Sequence, residues 1–169
     1  PVPPGDTYTL QVSSAFDFSY DLHESNVSGL TTQITGLQTN TTYYGRVNSI
    51  INSSSSPWTA RITSATLADI PITVVSTWSA VQYTSFTISW DRNTNPDAVT
   101  KYEVMIGTVN GLGSGMVFSS ITYNLSETFT GLKTDTTYYA QVKAINHNEI
   151  STGWLILGST KTLQAGMPT

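Results

Sequence analysis

The chain of 169 residues holds two histidines, His23 and His147, eleven carboxylates and no cysteine. Zero cysteine removes thiolate metal sites, cysteine nucleophiles and disulfide staples together. With one histidine in each half, in unrelated loops, neither a zinc ligand set nor a Ser-His-Asp assembly can be composed. Asp17, Asp21 and Glu24 flank His23 and offer oxygen ligands for calcium, although such a cluster reads more simply as an acidic solvated loop. Gly111-Leu112-Gly113-Ser114-Gly115 has the glycines of a phosphate cradle but neither its lysine nor a strand-to-helix passage. The carboxylates are scattered through turns, with no pair set in the apolar surroundings that glycoside cleavage needs. The chain is therefore expected to be no enzyme and to hold no cofactor and no metal.

Aromatic residues are the other side chains able to recognise a ligand. Tyr44 and Tyr139 each follow another tyrosine, so in a strand they point to the opposite face. With Trp58 and Trp154 on the adjoining strand, they make a candidate stacking platform for sugars. The simpler role for the same four rings is to shield a sheet face.

The elements that would carry these residues are strands. Hydrophobic residues make up 38% and charged residues only 11% of the chain, and Thr, Ser and Asn fill much of the rest, as strands with one polar face require. Phe86, Ile88 and Trp90 alternate with Thr87 and Ser89; Tyr102, Val104 and Ile106 repeat the pattern, as do Tyr138, Ala140, Val142 and Ala144. Asn-Pro, Asn-Gly and Gly-Ser-Gly clusters separate the runs. A net charge of −4 with seven dispersed cations supplies no phosphate-binding patch, so nucleic acid is not an expected partner. No run approaches the roughly 20 apolar residues of a membrane span, so insertion is not expected. Asn26, Asn40, Asn52 and Asn124 open glycosylation-type triplets, a pattern that a chain rich in Asn, Ser and Thr produces by chance.

The chain also repeats itself. Gly36-Leu37-Gln38-Thr39-Asn40-Thr41-Thr42-Tyr43-Tyr44 returns 95 residues later as Gly131-Leu132-Lys133-Thr134-Asp135-Thr136-Thr137-Tyr138-Tyr139. Tyr8-Thr9-Leu10-Gln11-Val12 matches Tyr102-Glu103-Val104-Met105-Ile106, Trp58 matches Trp154, and Thr66-Leu67 matches Thr162-Leu163. A period of this length equals one β-sandwich rather than a solenoid unit.

Leu132-x-Thr134-x-Thr136-x-Tyr138-x-Ala140-x-Val142, with Trp90 upstream, resembles the fibronectin type III family, and more narrowly the bacterial-type extracellular arrays of such domains. The resemblance implies an all-β chain of two immunoglobulin-like sandwiches in tandem. It also implies that Tyr43 and Tyr138 are tyrosine corners, their hydroxyls bonding backbone between strands E and F, and that Trp90 sits in the core. A proline usual in the family is replaced by Thr39 and Thr134. The expected layout is a partial domain over 1–67 (strands C to G), a linker at 68–71, a complete domain over 72–163 and a C-terminal linker at 164–169. Trp78 and Tyr83 are candidates for packing onto the preceding domain.

The first copy has no counterpart of residues 71–91, which hold strands A and B of the second. It would lack equivalents of Val74, Phe86, Ile88 and Trp90, each worth about 1.5–3 kcal/mol when buried, against roughly 5–15 kcal/mol for a whole domain. A protein partner is therefore expected, either a cleaved N-terminal fragment or strands from a neighbouring subunit. The functional expectation is a secreted or cell-surface spacer or filament subunit; the rival is a carbohydrate- or receptor-binding module of a larger protein, with glycan as a further partner.

Overall fold

The structure, a computed structural model, describes residues 7–112, 115 and 117–166. The chain divides into two compact units, Pro1–Thr66 and Leu67–Thr169. Among the described residues there is no helix, and so none long and apolar enough to cross a membrane.

The first unit is one antiparallel sheet built from β1 (Thr7–Ser13), β2 (Leu22–Val27), β3 (Thr42–Ile51), β4 (Ser54–Ser55) and β5 (Ile62–Ala65). β1 lies between β2 and β3, and β3 also carries β4 and β5 on its far side. The register sets Leu10 against Ser25 and Val47, and Val12 against His23 and Gly45. Tyr8, Leu10, Val12, Tyr43 and Val47 therefore share one face, while Thr9, Gln11, Arg46 and Asn48 share the other.

The second unit has two sheets. One orders β10 (Ser126–Phe129), β7 (Phe86–Ser89) and β6 (Trp78–Ser79); the other orders β12 (Leu155–Lys161), β11 (Thr137–Ile145), β8 (Lys101–Gly107) and β9 (Val117–Thr122). The alternating residues that meet between them are fully buried: Phe86, Ile88 and Trp90 from one sheet, and Tyr102, Val104, Ile106, Tyr138 and Val142 from the other. β12 bulges opposite Ala140 and Gln141, beside Gly158 at a positive φ of 80°, which turns Leu157 into the core.

Three sequence expectations change. Strand E of the first unit is not formed: residues 31–35 carry no strand. Its counterpart β10 is hydrogen-bonded only to β7, and the first unit has no β7, so the backbone there has no ladder to join. The expected linker at 68–71 is instead tied into the second unit. Asn95, 1% exposed, accepts from the Asp69 amide at 2.9 Å and donates to the Asp69 carbonyl at 2.8 Å, and Asn93 donates to the Ile70 carbonyl at 3.1 Å. Trp78, expected at the junction, belongs to the second unit's own core. Its indole donates to the Leu157 carbonyl at 3.2 Å and its ring meets Phe86 edge-on at 5.2 Å.

Candidate functional surfaces

The repeated tyrosine segment builds the same hydrogen-bonded corner twice. The Gln38 amide donates to the Tyr43 hydroxyl at 3.1 Å, and the Lys133 amide to the Tyr138 hydroxyl at 3.0 Å. The hub of each corner is a threonine further along the chain. Thr66 accepts from the Thr41 amide at 3.0 Å and donates to the Gln38 carbonyl at 2.6 Å; Thr162 does the same for Thr136 and Lys133 at 3.0 and 2.7 Å. Gly36 and Gly131 take the left-handed conformation at the start of each turn, at φ 77° and 71°. The two corners match to about a tenth of an ångström although only one stands in a two-sheet core, so the corner does not depend on a facing sheet.

Each unit carries two of the four candidate platform rings, Tyr44 and Trp58 in the first and Tyr139 and Trp154 in the second. Trp58 carries the Arg46 guanidinium over one face at 4.5 Å, and Trp154 carries the Lys143 ammonium at 4.5 Å. Tyr44 meets Phe16 edge-on at 5.3 Å. Tyr139 pairs with Ser159, whereas Trp154 lies level with Lys143, four residues along β11 and hence about 13 Å away. A cation thus lies over one face of each tryptophan, which supports a charged side chain.

On the outer face of the first unit this becomes a connected array. Glu24 accepts from Gln11 at 2.7 Å, Gln11 accepts from the Arg46 Nε at 2.8 Å, and the Arg46 guanidinium lies between Phe18, at 4.0 Å, and Trp58. Beside it Arg61 lies over Phe16 at 3.8 Å. Composition gave no signal for this array, because it joins a loop, a strand and a coil that are distant in sequence. Arg46 and Arg61 form no ion pair among the described residues, whereas Arg92, Lys101, Lys143 and Lys161 of the second unit each face a carboxylate.

The acidic loop disperses its ligands. Asp17 accepts from the Ser19 amide at 3.1 Å, Asp21 faces His23 at 3.2 Å, and Glu24 is turned to Gln11. Hydrogen bonds from Ser19 hold Asp17 below the usual carboxylate range, and those from Ser14 and then His23 do the same for Asp21. No group of three metal-binding side chains occurs among the described residues. Of the glycine-rich stretch, Gly113 and Ser114 lie outside the described residues.

The inner face of the first sheet is where the two units differ most. Tyr43 is buried on it, Tyr8, Leu10, Val12 and Val47 are half-buried, and two concavities open on it. One of about 490 Å³ lies among Tyr8, Leu10, Val27, Leu30 and Val47; the other, of about 290 Å³, lies among Val12, Leu37, Tyr43 and Ile62. The matching residues Tyr102, Val104 and Ile106 of the second unit are at most 1% exposed, beneath Phe86, Ile88 and Trp90.

Burial in that covered core has a consequence at high pH. The Tyr102 hydroxyl is buried beside the Thr100 side chain, and desolvation, opposed in part by Thr100, pushes its pKa up to about 12 from 10.0. Above pH 10 the unfolded chain releases this proton while the folded unit holds it. Stability is therefore complete below about pH 10 and falls by roughly 2–3 kcal/mol as pH rises through about 12. Urea titrations from pH 9 to 12 should show this loss, and Tyr102→Phe should flatten it; an equally steep alkaline limb in the variant would assign the effect elsewhere.

The comparisons agree with this geometry. Residues 71–153 match the model of the fibronectin type III domain. A two-domain fibronectin type III segment from chicken tenascin is 21% identical, covers 96% of this chain and 87% of its own length, and superposes with a TM-score of 0.61. The fibronectin type III domain of human collagen alpha-1(XX) is 16% identical over 60% of this chain and 91% of its own, at a TM-score of 0.48. None of the curated proteins matches the chain. The sequence repeat, the doubled tyrosine corner and the two-domain likeness together make this an all-β chain of two fibronectin type III-type folds in tandem, with the domain itself matched over residues 71–153.

Proposed function

We propose that this chain is an extracellular structural and adhesive stretch of repeated β-sandwich modules, without catalysis, whose first module is completed by a strand pair covering its open sheet face. The observation that carries this reading is the same apolar sheet face seen twice, covered in the second unit and open in the first. The second unit shows the chemistry of the cover: β6 and β7, presenting Trp78, Phe86, Ile88 and Trp90 with alternate spacing. A partner with that pattern would bury Tyr8, Leu10, Val12 and Val47, and would give residues 31–35 a strand to pair with. Each of those side chains gains about 1.5–3 kcal/mol on full burial.

The test combines native material with reconstitution. Intact mass and size-exclusion of the native protein are expected to show the covering strand pair present, whether in the same polypeptide, a cleaved fragment or a neighbouring subunit. A peptide of residues 71–91, added to the isolated chain, is expected to slow amide exchange in β1 and β3. A free monomer whose β1 and β3 amides already exchange as slowly as those of β8 and β11 would sink the proposal.

A second reading, recognition of glycan or a receptor, is favoured by the array on the outer face of the first unit, where both cations lie on aromatic rings and neither forms an ion pair among the described residues. Glycan arrays comparing the wild type with Trp58→Ala and Tyr139→Ala separate it from a spacer, which has no binding to lose.

A further inference from the structure

We propose that the free edge of β9 is a self-pairing surface, through which the second units of two copies of this chain join into one continuous antiparallel sheet. Sheet edges in folded proteins are ordinarily protected by shortness, charge, glycine or a bulge. The other edges here carry such protection. β6 is two residues long, and β10 is four residues long with Glu127 in it. β12 is bulged and holds Gly158 and Lys161. In the first unit β2, the counterpart of β9, carries Glu24 and His23, and β5 is only four residues long.

β9 has none of these devices. It reads Val117-Phe118-Ser119-Ser120-Ile121-Thr122, pairs along its whole length with β8 without a register shift, and has no strand on its other side. Its flank is apolar as well as uncharged: Val117, Ile121 and the following Tyr123 are 39%, 63% and 52% exposed. A partner strand is thereby offered unpaired backbone groups and β-branched side chains together.

The strand also selects the second copy and its register. A two-fold axis perpendicular to the sheet keeps the inner faces of both copies on one side, so the axis must pass through a pair of identical residues. Centred on Ser119, the pairing sets Val117 of each copy against Ile121 of the other on the outer face, and Phe118 against Ser120 on the inner. Centring on Ser120 would instead oppose Ile121 with Ser119 and set Val117 against Tyr123, which lies beyond the end of the strand. Cross-strand β-branched pairs stabilise an antiparallel ladder, so the Ser119 register is preferred.

Sedimentation of the full chain across a concentration series is expected to show a monomer–dimer equilibrium. Ile121→Lys should weaken it by at least about tenfold, because a charge on the edge opposes pairing; as Ile121 is exposed, far-UV circular dichroism and melting of the second unit should not change. The chain has no cysteine of its own, so Ser119→Cys introduces a single thiol. In the proposed register the two thiols face each other at the Cα separation of an antiparallel pair, within disulfide range. Oxidation should yield a covalent dimer far faster than for Asn110→Cys in the neighbouring exposed turn. Association that survives Ile121→Lys, or crosslinking of Ser119→Cys no faster than Asn110→Cys, overturns the proposal. Association through the open face of the first unit would give those two results, so the two surfaces are told apart.

Discussion

Trp90→Ala is expected to destabilise the second unit by about 3–5 kcal/mol, the range for deleting a large aromatic ring from a packed core. Trp90 is 2% exposed and meets Tyr102 at 5.7 Å with a 61° tilt. Its neighbours come from both sheets, so the cavity left behind cannot close by moving one strand. One term opposes the loss: the indole N–H is itself buried without a partner among the described residues, and deleting it relieves that cost. The net effect should therefore fall toward the lower end of the range. Trp90→Phe, which keeps most of the packing and also removes the N–H, should cost markedly less. Urea unfolding followed by far-UV circular dichroism measures both, and a loss under about 1 kcal/mol for the alanine variant would contradict the central placement of this ring.

The second large effect is a contrast between matched positions. Ile106 and Val12 occupy the same place in the two copies, with opposite surroundings. Ile106 is fully buried beneath β7, whereas Val12 lines an open concavity. Ile106→Ala should cost about 2–5 kcal/mol, and Val12→Ala under about 1 kcal/mol, because a partly exposed side chain on an open concavity loses less transfer free energy and leaves no closed cavity. Once a complementing strand pair is bound, Val12→Ala should become costly and weaken that pair's affinity. Equal sensitivity of the two sites in the lone chain would mean that the first unit is covered by some other means.

How much of this was readable in the residues depended on the range of the interaction. The alternating runs became β7, β8 and β11 because period-two hydrophobicity can be buried only by a strand. The doubled Leu-x-Thr-x-Thr-x-Tyr spacing became two corners whose Tyr43 and Tyr138 hydroxyls accept from amides five residues earlier. The threonines that complete those corners were visible only as members of a repeat, since Thr66 and Thr162 reach back 25 and 26 residues to act. Trp78 illustrates the limit: its indole bonds the Leu157 carbonyl, 79 residues along the chain, and nothing near Trp78 announces that partner. Arg46 is similar, since its two rings and its glutamine come from three different segments.

The unprotected edge of β9 illustrates another kind of limit. Its lack of charge was plain in the sequence, but whether a strand is central or at an edge is a property of sheet order, and that follows from pairings between residues far apart.

The sequence by itself determined the tandem organisation, the strand-rich fold class and the two tyrosine corners, because each rests on residue type and spacing. Only the tertiary structure decided that Trp78 packs into the second unit's own core, that residues 31–35 form no strand, and that the tryptophans support cations. These outcomes depend on which surfaces meet. A strand's alternation records that it has an apolar face but not what covers it, since burial is a property of two elements together.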